Sequence, residues 1–139
     1  MNKKNKSYIC IIMRKNKYIE AAKAIALKSK CHVKHGCIII NNKGNVISEA
    51  CNSYYRYNKT GLNPPYEKGI KIRCSSHAEE NAFRNVNHNL LDGAKMFVVR
   101  VSSSGDTMLS KPCERCMILC NKYIDNYGLK CVYYSDTCE

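Results

Sequence analysis

Residues 96–135, MFVVRVSSSGDTMLSKPCERCMILCNKYIDNYGLKCVYYS, decide how this chain folds. Met96 to Val101 is an apolar run broken only by Arg100, of the length of a buried strand and bounded by the Ser/Gly turn at 102–106. Pro112 suits the first turn of a helix, where its missing N–H would have no partner in any case, and the pattern from Cys113 to about Tyr127 is helical. Gly128 supplies a C-cap, and Lys130 to Ser135 reads as a further strand. Strand, helix and strand in succession predict an α/β fold.

Working outward, a helix starts at about Ser76 and runs through Ala82, Phe83 and Val86. Before it, Gly36 to Asn41 and Val46 to Cys51 read as a hairpin joined around Gly44. From Lys17 to Ser29, residues Tyr18, Ala21, Ala22, Ile25 and Ala26 follow the three-and-four spacing of an amphipathic helix. The order helix, two strands, helix, strand, helix, strand predicts helices on both faces of a mixed sheet. Residues 53–73, with Pro64-Pro65, form a polar connection long enough to suggest function or disorder. The division expected is a basic N-terminal extension, 1–14, with a loose end at 1–7, and a single domain, 15–139.

The 139 residues fit one core, and 45% apolar residues in separated blocks exclude a wholly disordered chain. Tyr8 to Met13 is too short to span a membrane and lacks a cleavage site, so a cytoplasmic protein with no membrane partner is expected. The net charge is +12, with Lys outnumbering Arg 17 to 6. Its excess lies in residues 1–34, at +9, and in the 53–73 connection, at +4. A solvated, Lys-biased surface accounts for such a charge, and a polyanion such as a nucleic acid is the alternative. Of the ten cysteines, Cys10, Cys37, Cys120 and Cys131 sit within apolar runs and read as reduced, buried small hydrophobes.

Two segments call for chemistry: Ser76-His77-Ala78-Glu79 and Pro112-Cys113-Glu114-Arg115-Cys116, each at a helix start. Cys113 and Cys116, three apart, share one face, and the positive end of the helix dipole favours their thiolates. With His77 they make three ligands, the number with which a catalytic zinc keeps its fourth position open. Glu79 is the candidate for proton transfer. Two residues from His77, it shares that site only if His77 lies at the irregular start of the helix. Glu79 with Ser76 also fits a capping box, in which the carboxylate bonds back to the backbone. Glu80 reads as a solvated first-turn acid.

This constellation resembles the zinc-dependent cytidine and deoxycytidylate deaminase superfamily, whose signature is H-x-E followed by P-C-x-x-C. Lys34-His35-Gly36-Cys37 and the strand ending in Asn52 resemble the glycine-led hairpin and ribose-contacting asparagine of that family, so the likeness covers about residues 17–135. The resemblance implies a three-layer α/β/α sandwich around a mixed sheet and one catalytic zinc on His77, Cys113 and Cys116. It also implies Glu79 as proton shuttle, substrate contacts from Asn52 and Ala78, and a site often completed by homo-oligomerisation. The activity implied is hydrolytic deamination of cytosine at C4 or adenine at C6. Tyr54 stands where free-cytidine deaminases place a Glu, and the basic connection resembles an insertion of deoxycytidylate deaminases that can face a 5′-phosphate. Conversion of dCMP to dUMP is therefore the leading expectation.

Other readings stand beside it. The basic N-terminus and the strip Tyr54, Tyr55, Arg56, Tyr57 and Lys59 suit a deaminase acting on cytosine or adenosine in RNA or tRNA. Cys74 could close a Cys3His site with His77, Cys113 and Cys116, which would make a non-catalytic structural zinc protein. Cys31, His32, His35 and Cys37 are close enough in sequence to suggest a second metal.

Overall fold

The computed structural model describes residues 9–12, 17–54 and 75–135. In chain order these form β1 (Ile9–Ile12), α1 (Lys17–Ala26), β2 (Lys34–Ile40), β3 (Val46–Cys51), β4 (Ser53–Tyr54), β5 (Ser75–Ser76), α2 (Ala78–Asn85), β6 (Lys95–Val101), β7 (Thr107–Met108), α3 (Glu114–Tyr127) and β8 (Cys131–Ser135). A single 3-10 turn, His88–Leu90, follows α2.

The main sheet has the order β1-β8-β6-β2-β3, with β7 paired to the end of β6. β1 and β6 run parallel to β8, whereas β2 runs antiparallel to both β6 and β3, so the sheet is mixed as its pattern predicts. Both faces are covered, and β2 and β6 are accordingly apolar almost throughout. Side chains of a strand alternate between faces, so Ile38, Ile40, Phe97, Val99 and Val101 pack against Ile19, Ala22 and Ala26 of α1. Cys37, Ile39, Met96, Val98 and Val132 face the opposite way, towards Ala82 and Phe83 of α2 and Cys120 and Tyr123 of α3. Phe83 and Tyr123 stack with ring centroids 3.9 Å apart, joining the two helices.

Gly36 sets how closely α1 lies on the sheet. A Cβ there would meet the Ala22 carbonyl oxygen and the backbone nitrogen and Cα of Ala26. Only glycine lets the helix backbone rest on β2 at this point. Gly44, at φ 88°, and Asn41, whose Oδ1 accepts from the N–H groups of Lys43 and Asn45, make the tight turn of the β2–β3 hairpin. Gly128, at φ 81°, caps α3 as its position predicts.

The structure adds four short strands, β1, β4, β5 and β7, to the expected order. Ile9–Ile12, within the segment 1–14 assigned to the extension, forms the edge strand β1 and pairs in register with Val132–Ser135. Residues 55–74, which hold most of the basic connection, Tyr55, Arg56, Tyr57, Lys59 and Cys74, lie outside the described residues, whereas Tyr54 ends β4 and is exposed. No helix among the described residues is long and apolar enough to cross a membrane.

Candidate active site

The starts of α2 and α3 meet on the sheet face opposite α1. His77 is the N-cap of α2, with an extended backbone at φ −79° and ψ 156°, so it stands outside the helical repeat. That is the irregular start which a site shared by His77 and Glu79 requires. Cys113 is the N-cap of α3, also extended, and Cys116 lies in the first turn. The carbonyls of both N-caps accept the first helical bonds, from Asn81 and Met117.

The His77 Nδ1 lies 3.2 Å from the Cys116 sulfur and 3.6 Å from that of Cys113. Zinc bonds of usual length at tetrahedral angles put such N and S atoms about 3.6 Å apart, so the observed spacing fits. All three ligand atoms lie within 4.8 Å of one another, and no other His, Cys, Asp or Glu cluster of three converges in this way among the described residues. The four residues around β2 do not gather: Cys37 enters the core, Cys31 is buried, His32 is exposed and His35 faces the cavity described below.

Burial pushes the Cys116 thiol up, and the neighbouring Glu79 and Cys113 push it in the same direction. Glu79 is only 4% exposed, and burial raises its carboxyl above the usual range, against hydrogen bonds from its own backbone and from Cys116. A thiol and a carboxyl that resist ionisation, Cys116 and Glu79, beside a second thiol and an imidazole, are the donor set a divalent cation completes.

The cap of α2 differs from the one its sequence suggests. Glu80, not Glu79, accepts the His77 backbone N–H at 2.8 Å, while the Ser76 hydroxyl donates to Asn81. Glu80 is also no free surface acid, for it pairs with Arg115 at 3.0 Å. Partial burial raises its carboxyl, but the His77 N–H and Arg115 outweigh that and hold it below the usual range. Glu80 thus ties the starts of the two helices together, and Glu79 is left out of the cap.

His77, Glu79 and Cys113 open into a cavity of about 260 Å³ that His35, Asn52 and Lys111 also line. Asn52 braces the approach to β2: its Oδ1 accepts the His35 N–H at 2.9 Å and its Nδ2 donates to the Val33 carbonyl at 2.8 Å. One lone pair and one N–H of the amide are left over. Ala78 is fully buried in the core and is not among the lining residues.

Ser110, another lining residue, has no sequence signal beyond its place just before Lys111 and Pro112. Its hydroxyl donates to the Val98 carbonyl and accepts the Ser135 N–H, both at 2.8 Å. This fastens the loop carrying Cys113 to β6 and β8.

The sequence profile of the cytidine and deoxycytidylate deaminase zinc-binding region matches residues 13–136, almost the whole chain. The chain belongs to this deaminase family. The fold of this family member is similar to that of the dCMP deaminase from the cyanophage S-TIM5. In its apo crystal structure that enzyme is 24% identical, with a TM-score of 0.54 over 87% of this chain and 82% of that one. In its complex with dCMP and dUMP the identity is 24% and the TM-score 0.57, over 86% and 79% of the two chains. No curated protein matches this deaminase-family chain at a significant level.

Proposed function

We propose that the chain is a zinc-dependent hydrolase that deaminates a cytosine nucleotide, converting dCMP to dUMP. The observation that carries this reading is the shared cavity, into which a buried carboxyl, Glu79, opens beside the convergent His77 and Cys113. His77, Cys113 and Cys116 would hold the zinc, which when bound supplies a water acidified towards neutral pH.

Glu79 moves the protons. Its carboxyl, raised by burial, is a stronger base than an ordinary carboxylate and is protonated in larger fraction near neutral pH. It takes one proton from the attacking water and delivers it to N3 of the ring, then takes the second from the new C4 hydroxyl and gives it to the departing amino group. The C4–O bond forms, the bond from C4 to the exocyclic nitrogen breaks, and ammonia leaves. Asn52, which lines the same cavity, offers a ribose contact with its remaining donor and acceptor. The absence of a Glu at Tyr54 and the cationic Lys111 on the cavity wall favour a nucleotide over a free nucleoside.

The test is ammonia release by the zinc-loaded protein from cytidine, deoxycytidine, their monophosphates and single-stranded RNA. dCMP is expected to be turned over fastest. Glu79→Gln should retain zinc and lower kcat on the order of 10²- to 10⁴-fold. Preference for deoxycytidine or RNA overturns the substrate, and unchanged turnover in the variant overturns the mechanism.

A further inference from the structure

Arg100 stands on the same sheet face as the candidate site. Phe97, Val99 and Val101 of β6 point towards α1, while Met96 and Val98 point towards α2 and α3. Alternation puts Arg100 with the second set. Its cross-strand partner is His35, which lines the active-site cavity, and directly opposed residues of this kind have Cβ atoms about 5 Å apart.

Arg100 lines a second cavity of about 160 Å³ together with His32, Val33, Ser102 and Ser103. Val33 lines both cavities, so the two adjoin. The Nε of Arg100 is buried without a hydrogen-bond partner, and no carboxylate among the described residues pairs with its guanidinium. Asp106, the acid of the following turn, is engaged by the hydroxyl of Ser104. Lys34, at the start of β2, spends its ammonium on the carbonyls of Ser29 and Cys31 and so adds a cation to the region without neutralising one.

A buried N–H of a guanidinium left without an acceptor is costly, and a planar fork of donors fits a phosphate better than any other common anion except a carboxylate. We propose that Arg100, with Ser102 and Ser103 in the same cavity, binds the 5′-phosphate of the nucleotide whose base occupies the adjoining active-site cavity. This rests on the reading of the site as a nucleotide deaminase. It makes the end of β6 and its turn the part of the described structure that separates a monophosphate from a nucleoside.

The experiment compares the zinc-loaded wild-type protein with Arg100→Gln and Arg100→Lys, each checked for zinc content and thermal midpoint. Two readouts are taken: binding of dUMP and of deoxyuridine by calorimetry, and kcat/KM for dCMP and for deoxycytidine. The wild type should bind dUMP more tightly than deoxyuridine, and Arg100→Gln should lose on the order of 10- to 100-fold for dUMP binding and for kcat/KM on dCMP. Values for deoxyuridine and deoxycytidine should not change, and Arg100→Lys should recover part of the loss.

Equal losses on nucleoside and nucleotide make Arg100 a structural residue and overturn the inference. So does wild-type protein that binds dUMP no better than deoxyuridine, even if dCMP is deaminated. Failure of the wild type to release ammonia from dCMP overturns the functional reading instead, while the binding difference still decides the role of Arg100.

Discussion

Replacing His35 with Asn is expected to flatten the dependence of stability on pH. The His35 pKa is pushed down to about 4 from the ordinary 6.5, by burial first and then by the positive charges of Arg100 and His77. Arg100 faces it from β6 and His77 from the start of α2, while Glu79, Lys111 and Cys113 line the same cavity. Of these, Glu79 is the group that would favour an imidazolium, and burial drives its carboxyl towards the neutral form.

As pH falls, His35 therefore takes up a proton in the unfolded chain before it does so in the folded one. The stability that comes from keeping it neutral is fully present above pH 6.5 and is lost as pH falls to about 4. The gap between those values corresponds to about 3 kcal/mol at its full extent, of which roughly 2 kcal/mol disappears between pH 7 and pH 5. Urea unfolding of the zinc-loaded wild type and His35→Asn, followed by far-UV circular dichroism at both pH values, measures the difference. Comparing the change with pH in each protein removes the variant's own cost at pH 7, and zinc content measured in parallel accounts for metal loss. The wild type should lose roughly 2 kcal/mol more than the variant. Equal losses would refute the placement of a neutral, buried imidazole between Arg100 and His77.

Three further outcomes test the site and its supports. Cys113→Ala should bring zinc content, measured by plasma mass spectrometry, close to zero and abolish ammonia release; a variant that stays zinc-loaded removes Cys113 from the ligand set. Gly36→Ala should cost about 3 kcal/mol in urea unfolding, because the added methyl meets helix backbone that cannot rotate away, and a cost below about 1 kcal/mol would mean that α1 does not rest on β2. Ser110→Ala should cost about 1–3 kcal/mol, since the buried Ser135 N–H loses its acceptor, and no loss would show that the loop before Cys113 is held by other contacts.

Most of the fold was legible in the chain. The apolar runs of β2 and β6, the three-and-four spacing of α1, and the Pro and Gly that bracket α3 carry their structure locally, so element type and order followed from neighbours in sequence. The same holds for the ligand candidates. His77, Cys113 and Cys116 announce themselves by residue type and by position at helix starts, before anything is known of the distance between them.

The register of a single turn was not legible. Ser76 with Glu79 and His77 with Glu80 have the same spacing, and only the exact start of α2 decides which acid caps it. That choice sends Glu79 into the cavity and Glu80 to Arg115, a partner 35 positions away. Similarly, Ile9–Ile12 is a short apolar run that becomes a strand because β8 offers it an edge. Asn52 acts on the backbone of residues 33 and 35 because the hairpin folds back on itself.

The sequence by itself therefore determined the family, the α/β order and the residues able to bind a metal, since these depend on side-chain chemistry and short-range spacing. The tertiary structure alone decided which carboxylate is left out of the helix cap beside the ligands, and that Arg100 and His35 stand opposite each other next to the cavity. Burial, strand register and charge pairing are properties of residues far apart in the chain, and they come into being only when the sheet closes between its helices.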